Sequence, residues 1–219
     1  MTVLVEACVD SAVSARQAAA GGAERLELCQ NLVEGGTTPD RDLLIAVRER
    51  VTLPLHVLIR PRGGDFLYRG DEIAAMLRDI ATMRRLEAQG VVLGGLDAAG
   101  RVDQGLTRRL LEAARPMAVT FHRAFDFARD PGEALETLIG LGIERVLTSG
   151  QAVSAEAGSS VLAALVAQSR GRIVVLAGGG IRAESVKRLV ASTGVREIHT
   201  TGGSEGIRAI VAALKASQA

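Results

Sequence analysis

The chain has 219 residues, 47% of them hydrophobic, and its 26 basic residues nearly balance its 25 acidic ones. This length and apolar content are enough to bury a substantial core in one domain, or at most two. The balanced charge is not that of a nucleic-acid-binding or membrane-surface protein, and no apolar run reaches the roughly 18 residues of a membrane span.

Eight short β-branched segments alternate with eight segments of helical spacing. We predict strands at residues 3–8, 25–29, 55–60, 91–96, 117–121, 145–148, 173–177 and 197–200. We predict helices at residues 11–22, 40–50, 71–90, 103–116, 130–142, 161–168, 183–191 and 206–216. Ser, Asp or Pro residues open the first five helices, and Gly or Pro residues close most of them, as expected for helix caps.

Eight strands that are each followed by a helix predict an α/β fold, a compact (β/α)8 TIM barrel that spans residues 1–219 as a single domain. The alternative is a doubly wound open sheet, which seldom reaches eight regular units in so short a chain. Because such barrels usually have about 250 residues, we expect short loops with little decoration.

A Glu-x-Cys pattern occurs in both of the first two strands. Glu6 and Cys8 lie in VEACVD, and Glu27 and Cys29 lie in LELCQN. Side chains alternate between the two faces of a strand, and the outer face must pack against apolar helices, so the polar parity points inward. The same alternation predicts inward positions for Arg25, His56, Leu58, Arg60, Thr120, His122, Glu197 and His199.

All five aromatic residues lie in or beside two segments, PRGGDFLY after the third strand and TFHRAFD at the end of the fifth. Both segments reach the carboxyl ends of the strands, where TIM-barrel active sites are built. Their aromatic rings are predicted to wall a pocket from water, and the alternative is that they only seal the top of the barrel.

Glycine-rich segments follow the last two strands, AGGGIR and TTGGSEG. Such loops expose backbone N–H groups at helix N-termini and commonly bind phosphate in this fold. With arginines near the same opening, Arg182 among them, they predict a small anionic, phosphorylated ligand. The predicted substrate-binding residues are Arg60, Arg62, Asp65, Arg123, Ser149, Gly178, Gly179, Gly202 and Gly203.

Acid–base catalysis is the chemistry that the buried polar residues allow. The candidate catalytic residues are Glu6, Glu27, His122 and Asp126. The alternative is that the glutamates pair with Arg25 and Arg60 and hold the barrel together. No strand ends on a lysine, no H-x-H stands on the first strand, and no motif indicates an organic cofactor, which excludes Schiff-base and several metal-hydrolase chemistries.

Six stretches of the chain resemble the CutC family of copper homeostasis proteins. They are VEACVDS, GGAERLELCQNLVEGGTTP, HVLIRPRGGDFLY, AVTFHRAFD, RVLTSGQ and AGGGIR. The resemblance implies a single TIM barrel, copper handling in the cytoplasm, and a homo-oligomer, either dimer or tetramer. One departure is that TTGGSEG runs almost directly into the last helix, whereas family members often carry a longer segment there.

Copper, taken from this resemblance, maps onto Cys8 and Cys29, whose soft thiolates suit Cu(I). Two cysteines are too few for a disulfide framework, and the first residues show no signal peptide, so a cytoplasmic location is expected. Three hypotheses stay open: a Cu(I)-binding protein, an enzyme of unassigned reaction on an anionic substrate, and a non-catalytic scaffold.

Overall fold

The computed structural model describes residues 2–216, which form a closed barrel of parallel strands inside a ring of α-helices. The strands are β1 (Leu4–Val9), β2 (Arg25–Leu28), β3 (Leu55–Leu58), β4 (Gly90–Leu93), β5 (Ala118–Phe121), β6 (Arg145–Thr148), β7 (Val174–Gly178) and β8 (Glu197–Thr200). The helices are α1 (Ala12–Gly21), α2 (Arg41–Arg48), α3 (Gly70–Arg85), α4 (Gln104–Ala114), α5 (Pro131–Leu141), α6 (Ser159–Ser169), α7 (Ala183–Thr193) and α8 (Ser204–Lys215).

Every strand pairs in parallel with its sequence neighbour, and β1 closes the ring against β8. This confirms the predicted TIM barrel and rules out the open sheet. The ends of the predicted domain, residue 1 and residues 217–219, lie outside the described part of the chain. No helix within residues 2–216 combines the length and the hydropathy needed to cross a membrane.

The helix ends follow the local sequence. The side chains of Asp40, Asp103 and Asp130 each accept a hydrogen bond from the third residue of the helix that they cap. Gly22 and Gly142 end their helices in the left-handed conformation, which costs glycine little. These short-range signals explain why most predicted boundaries agree with the observed ones to within a few residues.

The predicted strand at residues 91–96 is wrong at its end, since β4 stops at Leu93. The chain leaves the sheet at Gly94, where a Cβ atom would lie only 2.7 Å from Nδ1 of His122. The glycine therefore lets the imidazole of the next strand pass over the end of β4. Its role is to leave room for His122, and the residues after it form loop.

The register places the polar residues of β1, β2 and β8 at matching heights. Glu6 pairs with Arg25 on one side and with His199 on the other, and Cys8 pairs with Glu27. Between them on the opposite face, Val5, Ala7 and Leu26 are buried beneath the helices. The predicted inward parity is therefore observed, and the polar side chains of the early strands converge inside the barrel.

We expect Gly90→Ala to destabilise the barrel by about 1–3 kcal/mol, because it overpacks the interior. A Cβ atom at position 90 would lie 2.6 to 2.8 Å from three atoms of the His56 ring. The measurement is the free energy of unfolding from urea titration. Gly140→Ala is the matched control, because a Cβ atom added at this position of α5 would meet no atom of the surrounding structure within 4 Å. Alanine should therefore leave the free energy of unfolding unchanged or raise it by up to about 1 kcal/mol. Equal effects of the two substitutions would contradict the packing argument.

Candidate functional site

A cavity with a volume of about 720 Å³ opens at the carboxyl ends of the strands. Its wall contains many of the predicted site residues, namely Cys8, Glu27, Cys29, Arg60, His122, Arg123, Gly179 and Gly202. Seven other predicted residues do not line this cavity: Glu6, Arg62, Asp65, Asp126, Ser149, Gly178 and Gly203. The structure thus divides the predicted set into residues that face the cavity and residues that lie behind or beside it.

The two thiols meet on one side of the cavity. Sγ of Cys8 lies 3.3 Å from Sγ of Cys29, which directly follows β2. The hydrogen bond to Cys29 raises the pKa of the Cys8 thiol, and burial and the nearby Glu27 carboxylate act in the same direction. Both cysteines are free. The raised pKa favours the neutral thiol of Cys8, and both cysteines line the cavity.

Glu27 and His199 stand next to these thiols. Nε2 of His199 lies 3.5 Å from Oε2 of Glu27, and the ligand atoms of Cys8, Glu27 and His199 lie within 4.8 Å of one another. Burial favours the neutral imidazole, but the charges of Glu27 and Glu6 outweigh it and raise the pKa of His199. Burial raises the pKa of Glu27. Sulfur, nitrogen and oxygen donors therefore surround one point of the cavity wall.

Glu6 lies beneath this group and is completely buried. Its carboxylate forms an ion pair with Arg25 and lies 2.8 Å from Nδ1 of His199. Although burial opposes ionisation, the hydrogen bond from His199 and the charge of Arg25 hold the pKa of Glu6 well below its usual range. A carboxylate with this many fixed partners has little freedom for proton transfer. The geometry favours the structural alternative for Glu6, with Arg25 and not Arg60 as its partner.

Further ion pairs extend the network across the barrel. Arg25 also bonds Glu197, and Nε of Arg145 lies 2.7 Å from the same carboxylate. Sequence reasoning predicted an inward position for His199 without a role, and it did not include Arg145 in this network. The available signal was the inward parity of Arg145 at the start of β6 and of His199 within β8, read together with the closure of β8 onto β1.

His122 lies on the far side of the cavity, at the end of β5. Its Nδ1 accepts a hydrogen bond from the backbone N–H of Ala124, so the ring proton of the neutral form sits on Nε2. Burial, helped by the positive charge of Arg60, lowers the pKa of His122 to about 3. At neutral pH this imidazole is a hydrogen-bond donor through Nε2, and its free electron pair already accepts from Ala124. The predicted proton-abstracting role does not follow from this geometry.

Arg60 is buried in the wall beside His122. Its guanidinium donates to three backbone carbonyls, at 2.9 Å to Glu34, 2.8 Å to Gly36 and 3.2 Å to Gly64. Within residues 2–216 no carboxylate forms an ion pair with it. Its Cζ atom lies 5.0 Å from the centroid of the Phe66 ring. The wall thus carries a buried positive charge whose hydrogen bonds orient it but do not neutralise it.

Asp126 lies behind the cavity wall and binds neighbouring loop residues. It accepts hydrogen bonds from the backbone N–H groups of Ser149 and Gln151, both at 3.1 Å, and from Nε of Arg123 at 2.7 Å. Arg123 also donates to Oγ of Ser149 at 3.0 Å. Asp126 and Ser149 therefore position Arg123, and Arg123 is the member of the group that reaches the cavity.

Arg62 and Asp65 form an ion pair with each other, at 2.9 Å, outside the cavity. Arg62 also contacts Glu72 on α3. The loop after β3 turns at Gly64, which has a positive φ of 80°. Of the aromatics in the two predicted segments, Phe66 lines the cavity, while Phe121 and Phe125 are buried behind it and Phe127 is exposed. Of the two predicted roles for the aromatic residues, Phe66 fulfils the first as part of the pocket wall, while Phe121 and Phe125 are packed in the interior.

Known proteins are similar to this chain in sequence and in fold. The model of the CutC family matches residues 3–204. A CutC family protein of Xylella fastidiosa is 50% identical over 200 residues, which cover 91% of this chain and 75% of that protein. The human copper homeostasis protein cutC homolog is 48% identical over 201 residues, covering 92% and 74% respectively. The crystal structure of CutC from Streptococcus agalactiae superposes with a TM-score of 0.86 at 31% identity and covers 91% of this chain and 99% of that one.

We expect the free energy of unfolding to fall as the pH drops from 6.5 toward 4. Burial lowers the pKa of His56 from 6.5 to about 4, so the unfolded chain takes up a proton in this range that the folded chain refuses. Each such histidine contributes at most about 1.4 kcal/mol per pH unit. The raised pKa of His199 acts in the opposite sense, above pH 6.5.

The measurement is urea unfolding at several pH values for the wild type and for His56→Gln. The pH slope should become shallower in the variant, whatever the substitution does to stability at neutral pH. His122→Asn should flatten the slope similarly, because burial also lowers the pKa of His122. Parallel curves for wild type and variants would show that these imidazoles are protonated in the folded protein.

Proposed function

Because the chain belongs to the CutC family, we propose that it handles copper in the cytoplasm and holds Cu(I) between the thiols of Cys8 and Cys29. The observation that carries this proposal is the 3.3 Å separation of the two sulfur atoms at the cavity wall. The human relative is named for copper homeostasis. In this proposal copper is cargo that the protein takes up and releases through the open mouth of the barrel.

The donor chemistry fits a soft monovalent cation. Thiolate sulfur prefers Cu(I) among the biological metals, and these two cysteines are the only ones in the chain. Nε2 of His199 and the carboxylate of Glu27 provide further donors beside Cys8. Glu6 binds the opposite ring nitrogen of His199 and so fixes the orientation of the imidazole. The negative charges of Glu27 and Glu6 also favour a cation on this side of the cavity.

A homo-oligomer, dimer or tetramer, is part of the same proposal and rests on the family. Large apolar side chains are exposed on the loops at the barrel mouth, among them Val33, Phe127 and Val153. An interface between copies of the chain would remove such side chains from water. Light scattering on the purified protein measures the assembly directly.

A second candidate is an enzyme that acts on a small anionic, phosphorylated substrate. The specific observation that favours it is the cavity itself, because about 720 Å³ far exceeds the space that one metal ion needs. The helices α7 and α8 begin at this cavity without a side-chain cap, which leaves N–H groups for a ligand. Arg60, Arg123 and Arg182 add positive charge to the same wall.

We expect the reduced protein to compete for Cu(I) with a chromogenic chelator, and the Cys8→Ser/Cys29→Ser variant to lose this ability. His199→Asn should weaken binding by about 10- to 100-fold, the usual effect of a supporting ligand. The measurement is chelator competition under anaerobic conditions, with Zn²⁺ as a second metal because a Cys, His and carboxylate set also suits zinc.

His122→Asn is the matched control, since His122 lines the same cavity but lies away from the thiols. It should bind Cu(I) as the wild type does. Equal Cu(I) affinity in the wild type and the double cysteine variant would remove the thiol site. Tight binding of Zn²⁺ together with weak binding of Cu(I) would show that zinc, and not copper, is the cargo.

For the second candidate, we expect inorganic phosphate or a phosphorylated metabolite to raise the melting temperature, because a ligand that binds only the folded state stabilises it. Arg182→Gln and Arg123→Gln should each weaken this effect by about tenfold or more, since charged hydrogen bonds contribute about 1.5–3 kcal/mol. Arg129→Gln is the control, because this exposed arginine pairs with Glu133 outside the cavity. A shift that survives in both cavity variants would contradict the anion pocket.

A further inference from the structure

One buried hydrogen-bond donor in the cavity wall has no partner among the described residues. It is Nε2 of His122, on a residue that is 4% exposed. The guanidinium of Arg60 is its nearest described positive charge, and that guanidinium interacts in turn with the buried hydroxyl of Tyr68. Buried donors in folded proteins are almost always paired, because an unpaired one forfeits its hydrogen bonds to water. An unpaired imidazole N–H beside a buried positive charge indicates that a ligand completes its hydrogen bonding.

Phe66 links these two side chains. The centroid of its ring lies 5.1 Å from that of His122 and 5.0 Å from Cζ of Arg60. Arg60 follows β3 and His122 follows β5, and the strand between them ends at Gly94, where a side chain would collide with the imidazole. All three side chains line the cavity. Both side chains therefore lie against one aromatic ring in the cavity wall.

The local chemistry accepts only an anionic or strongly polar oxygen. His122 has its proton on Nε2, since Nδ1 accepts from Ala124, and Arg60 has only N–H groups to offer. The charge of Arg60 has no carboxylate partner within the described chain, so this side of the cavity repels cations. A ligand oxygen would receive a hydrogen bond from the neutral imidazole and would be attracted by the nearby guanidinium.

We infer that Nε2–H of His122, with the positive charge of Arg60 nearby, binds the carboxylate of a small-molecule ligand beside the ring of Phe66. A carboxylate is planar and carries one negative charge, and so matches a hydrogen-bond donor and a guanidinium next to a flat apolar ring. The glycine-rich loops after β7 and β8 lie elsewhere on the wall and remain for a phosphate. This inference rests on the second candidate function and adds a carboxylate to the phosphorylated substrate class proposed there.

His122 lies across the barrel from the thiol pair, because β5 is opposite β1, which carries Cys8. Arg60 lies nearer to the thiols, since it follows β3, the neighbour of β2, and donates to the carbonyl of Gly36 beside Cys29. The donor atom itself has almost no exposed surface, so the Phe66 ring must shift to admit a ligand oxygen. Phe66 is itself only partly buried and belongs to the loop after β3. The carboxylate site is therefore centred on His122, across the cavity from Cys8.

Histidine NMR tests the inference directly, since the chain has only three histidines. Acetate, oxalate, succinate and inorganic phosphate are titrated into the ¹⁵N-labelled wild type. At least one carboxylate should move the Nε2 and Hε1 resonances of His122 in a saturable way while those of His56 stay in place. If no carboxylate does so at any soluble concentration, the inference is wrong.

A matched pair of variants locates the donor. His122→Asn keeps an acceptor near the position of Nδ1 for the N–H of Ala124 and removes the Nε2 donor, whereas His122→Gln keeps a donor near Nε2 and loses that acceptor. Carboxylate affinity should fall at least tenfold in the Asn variant and less in the Gln variant. Equal affinities in wild type and His122→Asn would overturn the assignment, and the wild-type titration decides alone if either variant does not fold.

The outcomes separate this inference from the proposals on which it stands. A phosphate effect that depends on Arg182, without any carboxylate effect at His122, keeps the second candidate and removes the carboxylate site. Loss of both effects removes both. The Cys8→Ser/Cys29→Ser variant should bind the carboxylate as the wild type does, and failure there would show that the two sides of the cavity are one site.

Discussion

The carboxylate of Glu6 sits at the centre of the barrel and binds side chains from both neighbouring strands. It pairs with Arg25 on β2 and with His199 on β8, so one side chain crosses the seam at which the first and last strands close the ring. A buried charge is expensive unless it is fully paired, and here the pairing continues through Arg25 and Glu197 to Arg145. The closed barrel and the buried charge network therefore depend on each other.

This network also determines the chemistry of the cavity above it. Since Nδ1 of His199 is held by Glu6, the other ring nitrogen faces Glu27 and the thiol of Cys8. The side of the cavity formed by β1, β2 and β8 thus combines soft sulfur donors with negative charge. The opposite side presents His122, which offers an N–H group. Arg60 lies between the two, because it follows β3, the neighbour of β2, and donates to the carbonyl of Gly36 beside Cys29. The positive charge of Arg60 therefore lies close to the thiols and opposes the negative charges of Glu6 and Glu27.

In the loops at the barrel mouth, some residues line the cavity and others hold those residues in position. Asp126 uses both carboxylate oxygens to tie the loop after β5 to the loop after β6, and in doing so it holds Arg123. The ion pair of Arg62 and Asp65 fixes the loop that carries Phe66. Polar residues of the two characteristic segments therefore mostly build the frame from which Phe66, His122 and Arg123 face the cavity.

The sequence by itself determined the barrel, the inward parity of Glu6, Glu27 and Cys8, and the meeting of the two thiols. These follow from the alternation of strands with helices and from the period of two along each strand, which are local properties of the chain. The resemblance to one family followed from short motifs in the same way, and the matches to known proteins agree with it.

Only the tertiary structure decided which polar residues face the cavity and which are already paired. Arg62, Asp65 and Asp126 are close in sequence to residues that line the cavity. Their own charged groups, however, pair with neighbouring residues that the loops bring close. The tautomer of His122 depends on the N–H of Ala124, and its missing partner is visible only when every contact around it is known. Loop paths and side-chain partners result from contacts between distant parts of the chain, and no local pattern encodes them.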